Sequence, residues 1–276
     1  MTASTANPAS PLVSAAWLAA HLDDPGVLVA DVRPLPMYLA GHIAGAISLD
    51  VGSLRLPASD EATIAAWAAA LGRALGAAGI GPERTVIFTE DISGTMAAYG
   101  VWLLDVAGLH NGRLLDGGLR AWVGAGQPLD RTPVQPEPVA LSLTLDRTVL
   151  ATASDLIAAV GEAPAGPELV PVDTRSAGEH ESGTIPGSVH REWMTNLNAD
   201  GSYKDAAILA ADYAAAGLAP AAPVAAVTYC AGGFRASQTY VALRVAGFPD
   251  VRNYAPSWGE WGQLPDAPVA FPDDED

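Results

Sequence analysis

The sequence predicts two α/β domains, each a mainly parallel sheet flanked by helices. Three observations predict it. Short apolar, strand-like runs alternate with helix-like segments. A pattern of Asp-x-Arg followed by Gly-x-Ile-x-Gly occurs twice. The chain has 276 residues, half of them apolar, which is enough for two cores.

The repeat fixes the domain plan. Residues 27–33 read VLVADVR and residues 169–175 read LVPVDTR. Gly41-His42-Ile43-Ala44-Gly45 is matched by Gly183-Thr184-Ile185-Pro186-Gly187. Both pairs stand 142 residues apart. Downstream, Ala107-Gly108-Leu109 matches Ala246-Gly247-Phe248 and Trp122 matches Trp261, both 139 residues apart. The second copy is therefore three residues shorter somewhere between. Repeats of this length are duplicated domains rather than solenoid units. The copies are placed at 10–129 and 147–272. A linker over 130–146 carries Pro133, Pro136 and Pro138 and has little helical pattern.

In the second copy Ser154 is expected to cap a helix over 155–161. Strand 169–173 follows, then a helix over 206–216 and a buried strand over 223–229. A helix over 235–246 is stopped by Gly247. A strand over 251–254 and a helix near Trp258 close the copy. Trp122, Trp258 and Trp261 are expected to pack the last helix of each domain. Parallel sheets place their sites at the carboxyl ends of strands, and Cys230 stands there.

Charge narrows the function. With 31 acidic and 14 basic residues the formal net charge is -17. Such a surface repels phosphate backbones and anionic lipid, so neither nucleic acid nor membrane is an expected partner. It also disfavours small anions at long range, so any anion site must be built locally from arginines and backbone amides. The single cysteine excludes an intrachain disulfide and a cysteine-based metal cluster. His21, His42, His110, His180 and His190 lack metal-ligand spacing, so no metal and no cofactor is expected; His42 reads as structural. The N-terminus lacks a signal-peptide pattern and no run reaches 18 apolar residues, so a cytoplasmic protein is expected; its oligomeric state stays open, with a monomer preferred. The acidic run 273–276 reads as a solvated tail.

Cys230 directly follows the apolar strand and precedes Ala231-Gly232-Gly233-Phe234-Arg235. Two glycines allow the backbone to curl around the side chain. Amides can then point inward, with a helix N-terminus behind them. Such a nest, with Arg235 nearby, favours the nucleophilic thiolate.

These segments resemble the rhodanese family over nearly the entire chain. The resemblance rests on "ADVRPLPMYLAGHIAGAISLD" and "RLLDGGLRAW" in the first copy. In the second it rests on "VDTRSAGEHESGTIPGSV", "LNADGSYKDAAILAADYAAAGL" and "TYCAGGFRAS". The tandem form is similar to thiosulfate and 3-mercaptopyruvate sulfurtransferases. The resemblance implies a silent first copy and a Cys230 that carries sulfur as a persulfide. The sulfur comes from a small anionic donor and passes to a thiophilic acceptor such as cyanide or a thiol. It further implies that the amides of Ala231, Gly232, Gly233, Phe234 and Arg235 hold the terminal sulfur. Arg235 would bind the donor or hold the loop closed, and Asp173 and Arg175 would brace the loop. Thiosulfate is the preferred donor, with 3-mercaptopyruvate as the other. Where relatives often carry a donor-binding arginine, this chain has Glu179; Arg191, Arg235 or Arg244 would have to compensate. The alternative function is a rhodanese-fold binding or persulfide/redox-sensing module without turnover. Carrying the offset of 139 back from Cys230 gives Asp91, read as an N-cap or turn residue for a helix from about Thr95.

Overall fold

Alternation of short strands and helices gives two parallel sheets, one in each copy. The computed structural model describes residues 10–161 and 168–272; the acidic run 273–276 lies outside them. The first copy runs β1 (Leu12–Val13), α1 (Ala15–His21), β2 (Val27–Asp31), α2 (Leu35–Ala40), β3 (Ile47–Ser48), α3 (Glu61–Ala77), β4 (Thr85–Thr89), α4 (Thr95–Val106), β5 (Gly112–Leu115) and α5 (Gly118–Gly124). Its sheet has the order β1-β5-β4-β2-β3. The second copy runs α6 (Ala153–Gly161), β6 (Glu168–Asp173), α7 (Ala177–Glu181), β7 (Val189–His190), α8 (Ala206–Ala215), β8 (Val224–Tyr229), α9 (Phe234–Val245), β9 (Val251–Asn253) and α10 (Trp258–Trp261). Its sheet has the order β7-β6-β8-β9. Strands pair in parallel in both sheets. The apolar runs of β4 and β8 suit strands buried on both faces.

The predicted elements are present, with one cap moved. Helix α6 starts at Ala153, not at Asp155, and Ser154 lies inside it. Thr152 takes the cap. Its hydroxyl and amide both meet Asp155 Oδ2, at 2.7 and 2.8 Å, and Asp155 N donates back to Thr152 Oγ1. The reciprocal bonds of a capping box outweigh a lone serine two residues further on. Trp122 and Trp261 are buried, and their indole N–H groups bond Pro128 O and Pro268 O respectively. His42 is buried between Tyr38 O and Thr132 O.

Two compact units form, and each takes in a segment from the other copy. The first includes Asn198–Tyr203, where Gly201 O accepts from Ser93 N and Tyr203 N donates to Asp116. The second includes Arg55–Trp67. There Ser59 N and Oγ both donate to the Glu260 carboxylate at 2.7 Å, and Ser59 Oγ accepts from Ala153 N. The stretch expected as a linker packs along the first unit, where Val139 N donates to Gly76 O. Among the described residues no helix is long and apolar enough to cross a membrane.

The loops after β4 and β8 reveal what the repeat offset conceals. Thr174 N bonds Tyr229 O, and Val32 N bonds Thr89 O. Trp258 N and Gly259 N bond Cys230 O and Ala231 O; Leu119 N and Arg120 N bond Glu90 O and Asp91 O. The residue in the place of Cys230 is therefore Glu90, not Asp91. The loop of the first copy holds one extra residue before its helix cap, Gly94, and a single offset carried through it slips by one. Asp91 does not cap α4; it is exposed and faces Arg33 at 3.4 Å. Glu90 Oε1 instead accepts from Met96 N and Ala97 N, both at 2.8 Å, so a carboxylate fills the helix N-terminus. Burial raises its pKa to about 7 against the pull of those amides. A carboxyl with a raised native pKa leaves stability intact while both states are protonated. It removes stability as pH rises from about 4.5 to about 7, where the unfolded chain ionises first. Glu90→Gln should keep an acceptor for the two amides and lose this penalty. We expect its stability relative to wild type to rise by about 1–3 kcal/mol between pH 5 and pH 8.5. Urea unfolding at the two pH values measures it, and a difference independent of pH would refute the assignment.

Candidate active site

Strand β8 delivers Cys230 to the carboxyl end of its sheet, at the centre of the second unit. The side chain is 2% exposed. Its Sγ accepts the amides of Gly232 at 3.4 Å and Gly233 at 3.1 Å. Ala231 turns its carbonyl to Gly259 N, and Phe234 and Arg235 open α9. Of the five amides expected around the sulfur, those of Gly232 and Gly233 reach Sγ. Gly233 is the cap of α9 at φ 94°, a left-handed conformation. A methyl there would fall 2.5 Å from Ala255 O, so the curl of the loop requires glycine.

Asp173 and Arg175 come together beneath this loop, both buried. Arg175 Nε and Nη2 donate to the two oxygens of Asp173 at 2.9 and 2.6 Å, and Nη2 also donates to Gly183 O. The guanidinium lies 4.3 Å from the Trp258 ring centroid and 5.6 Å from that of Tyr229. Trp258 N donates to Cys230 O, which connects the ion pair to the backbone of Cys230. Burial works to raise the Asp173 pKa, but hydrogen bonds from Arg175 and His180 hold it below the usual range. The first copy repeats the motif: Arg33 donates to Asp31 and to Gly41 O.

Arg235 and Glu179 also meet. Nη1 and Nη2 of Arg235 donate to the two carboxylate oxygens of Glu179 at 2.7 and 2.8 Å. Glu179 accepts as well from Ser176 N and Oγ, closing a capping box on α7. Arg235 therefore holds the Glu179 pKa down at about 2. Glu179 raises that of Arg235 against burial, with Cys230 adding to the effect. Glu179 is thus the anchor of the loop's own cation.

Sequence reading missed Ser257. It is fully buried, and its backbone at φ 60°, ψ -153° is a conformation that side chains rarely adopt. Its Oγ accepts from Cys230 N at 3.1 Å and donates to Tyr254 O at 2.8 Å. The matching residue of the first copy is Gly118 at φ 59°. A methyl there would lie 2.4 Å from Glu90 O and 2.7 Å from Ile92 N. A serine where the repeat has glycine was the signal available in the sequence.

A family model described as Rhodanese-like domain matches residues 14–125 and 153–264. A thiosulfate sulfurtransferase of Pseudomonas aeruginosa is 32% identical over 260 residues, covering 91% of this chain and 94% of the relative. A sulfur carrier protein of Thermus thermophilus is 29% identical over 284 residues, covering 94% and 96%. Among solved structures, the anaerobic ergothioneine biosynthesis enzyme of Chlorobium limicola superposes with a TM-score of 0.80 at 22% identity. That match covers 95% of this chain and 70% of the other and shows a shared fold.

The geometry makes Ser257 a support for the Cys230 amide. Ser257→Ala should cost about 1–3 kcal/mol, because it leaves a buried N–H without its acceptor and keeps the strain. Ser257→Gly should cost less, since glycine relieves about 1 kcal/mol or more of backbone strain. Thermal melts rank the two; a glycine variant less stable than the alanine variant would contradict the account.

Proposed function

The chain belongs to the rhodanese-like domain family, in duplicate, and on that premise we propose that it is a sulfurtransferase carrying sulfur as a persulfide on Cys230. The observation that carries this reading is the pair of amides, from Gly232 and Gly233, aimed at Sγ where β8 ends. They stabilise negative charge on sulfur in the thiolate, and terminal sulfur of a persulfide would occupy the same nest.

With thiosulfate as donor the chemistry balances in two displacements. The Cys230 thiolate attacks the outer sulfur; the Sγ–S bond forms, the donor's S–S bond breaks, and sulfite leaves with the electron pair. The acceptor, cyanide or a thiolate, then attacks the outer sulfur of the persulfide. Its new bond to sulfur forms, the Sγ–S bond breaks, and the Cys230 thiolate returns. The relatives named thiosulfate sulfurtransferase support thiosulfate over 3-mercaptopyruvate. The loop-bracing role falls to Asp173 and Arg175. Arg235, committed to Glu179 through both Nη atoms, serves to hold the loop closed. A single thiol without a disulfide partner suits a reducing, cytoplasmic setting, and we take the working form to be a monomer.

Turnover is the test. Thiosulfate with cyanide should give thiocyanate continuously, and 3-mercaptopyruvate should be used less well. Mass spectrometry after donor treatment should find one added sulfur, on the peptide holding Cys230. Cys230→Ser should reduce transfer to background with the melting temperature preserved. Substantial transfer by the serine variant would end this reading, and a single stoichiometric modification without turnover would favour a sensing module.

A further inference from the structure

A net charge of -17 obliges an anion site to be local, yet the arginines expected to provide it are engaged. Arg235 is bound through both Nη atoms to Glu179, and Arg191 Nη2 donates to Asp212 at 2.6 Å. Arg244 lies in the last turn of α9, over the Tyr240 ring. At 1.5 Å per residue that is about 15 Å along the helix from the end facing Cys230.

Arg55 is the remaining cation at the loop. It comes from the first copy and belongs to the second compact unit. Its neighbour Leu56 is fully buried and fixes the backbone, while Arg55 itself is exposed. Among the described residues it makes no ion pair or hydrogen bond. The guanidinium rests on a floor of two glycines. A methyl built on Gly232 would lie 3.1 Å from both Nε and Nη2, and one on Gly259 would lie 3.3 Å from Nη2. Gly232 is the residue whose amide donates to Cys230 Sγ, and Gly259 N bonds the carbonyl of Ala231. An unpaired guanidinium is thus seated directly on the nucleophile's loop, in a protein with a large excess of carboxylates.

We propose that Arg55 is the positioning cation for the anionic part of the sulfur donor, taking the oxyanion end while the outer sulfur faces Cys230. This rests on the sulfurtransferase reading for the identity of the donor. A guanidinium presents paired N–H donors that suit an oxyanion such as the sulfonate end of thiosulfate, which a lysine would contact as a point charge.

The test compares two alkylating agents that react with the same thiol, anionic iodoacetate and neutral iodoacetamide. In wild type the rate ratio of iodoacetate to iodoacetamide should exceed that of Arg55→Gln by about tenfold, the size of a lost charge-assisted contact. Arg55→Lys should recover part of the ratio, and melting temperatures should report intact folding of this exposed position. In turnover, Arg55→Gln should raise the thiosulfate KM and leave the rate of persulfide discharge to cyanide at saturating donor near that of wild type. An unchanged alkylation ratio in Arg55→Gln overturns the proposal, as does a larger fall in Arg235→Gln than in Arg55→Gln. Because alkylation needs no sulfur transfer, these outcomes are separate from the fate of the sulfurtransferase reading, which wild-type turnover decides.

Discussion

The buried guanidinium of Arg175 is the constraint on which the second unit's site depends. A charge withdrawn from water this completely is tolerable only if it is matched and its donors are used. Asp173, two residues earlier at the end of β6, supplies the opposite charge, and Gly183 O takes a further N–H. The aromatic faces of Trp258 and Tyr229 cover the cation. Tyr229 is the residue before the cysteine, and Trp258 N holds the cysteine's carbonyl. Satisfying one charge thus fixes the strand end, the turn at Gly183 and the start of α10 around the thiol. The copy without a thiol makes the same ion pair and carbonyl bond at Asp31, Arg33 and Gly41.

The copies diverge where a single residue changes the space available. The longer loop of the first copy places Ile92 where a side chain on Gly118 would go, and its strand-end carboxylate satisfies the helix amides internally. The shorter loop of the second copy leaves room for Ser257, at the cost of a backbone conformation suited to glycine. Its hydroxyl holds the cysteine amide in return. One loop has become self-contained; the other leaves its amides to a sulfur atom.

Much of this was legible in the chain. Cys230 was readable because an apolar run, two glycines and a helix pattern flank the only thiol. The domains were readable because Asp-x-Arg and Gly-x-Ile-x-Gly recur at one spacing. Glu90 was not, since one inserted residue shifts the frame of the match and leaves no trace in composition. Glu179 was readable only as a charge in an unexpected place; its role as the partner of Arg235 arises from packing between residues 56 positions apart. The cap at Thr152 was missed because threonine and serine compete two residues apart, and the aspartate that decides between them acts through its side chain. Arg55 belongs to no motif at all, and its place on Gly232 comes from the way a first-copy segment packs into the second unit.

That segment makes each copy depend on the other. Glu260 accepts from Ser59 through both carboxylate oxygens, beside a bond from Tyr254, and Ala153 N donates to the same serine hydroxyl. In the other unit, Asp116 accepts from Tyr203 N, which the second copy provides. Each copy thus supplies donors to a carboxylate of the other, so deleting either would strand polar groups in the one that remains. Two domains can be recognised in the sequence, yet neither compact unit is built from one copy alone.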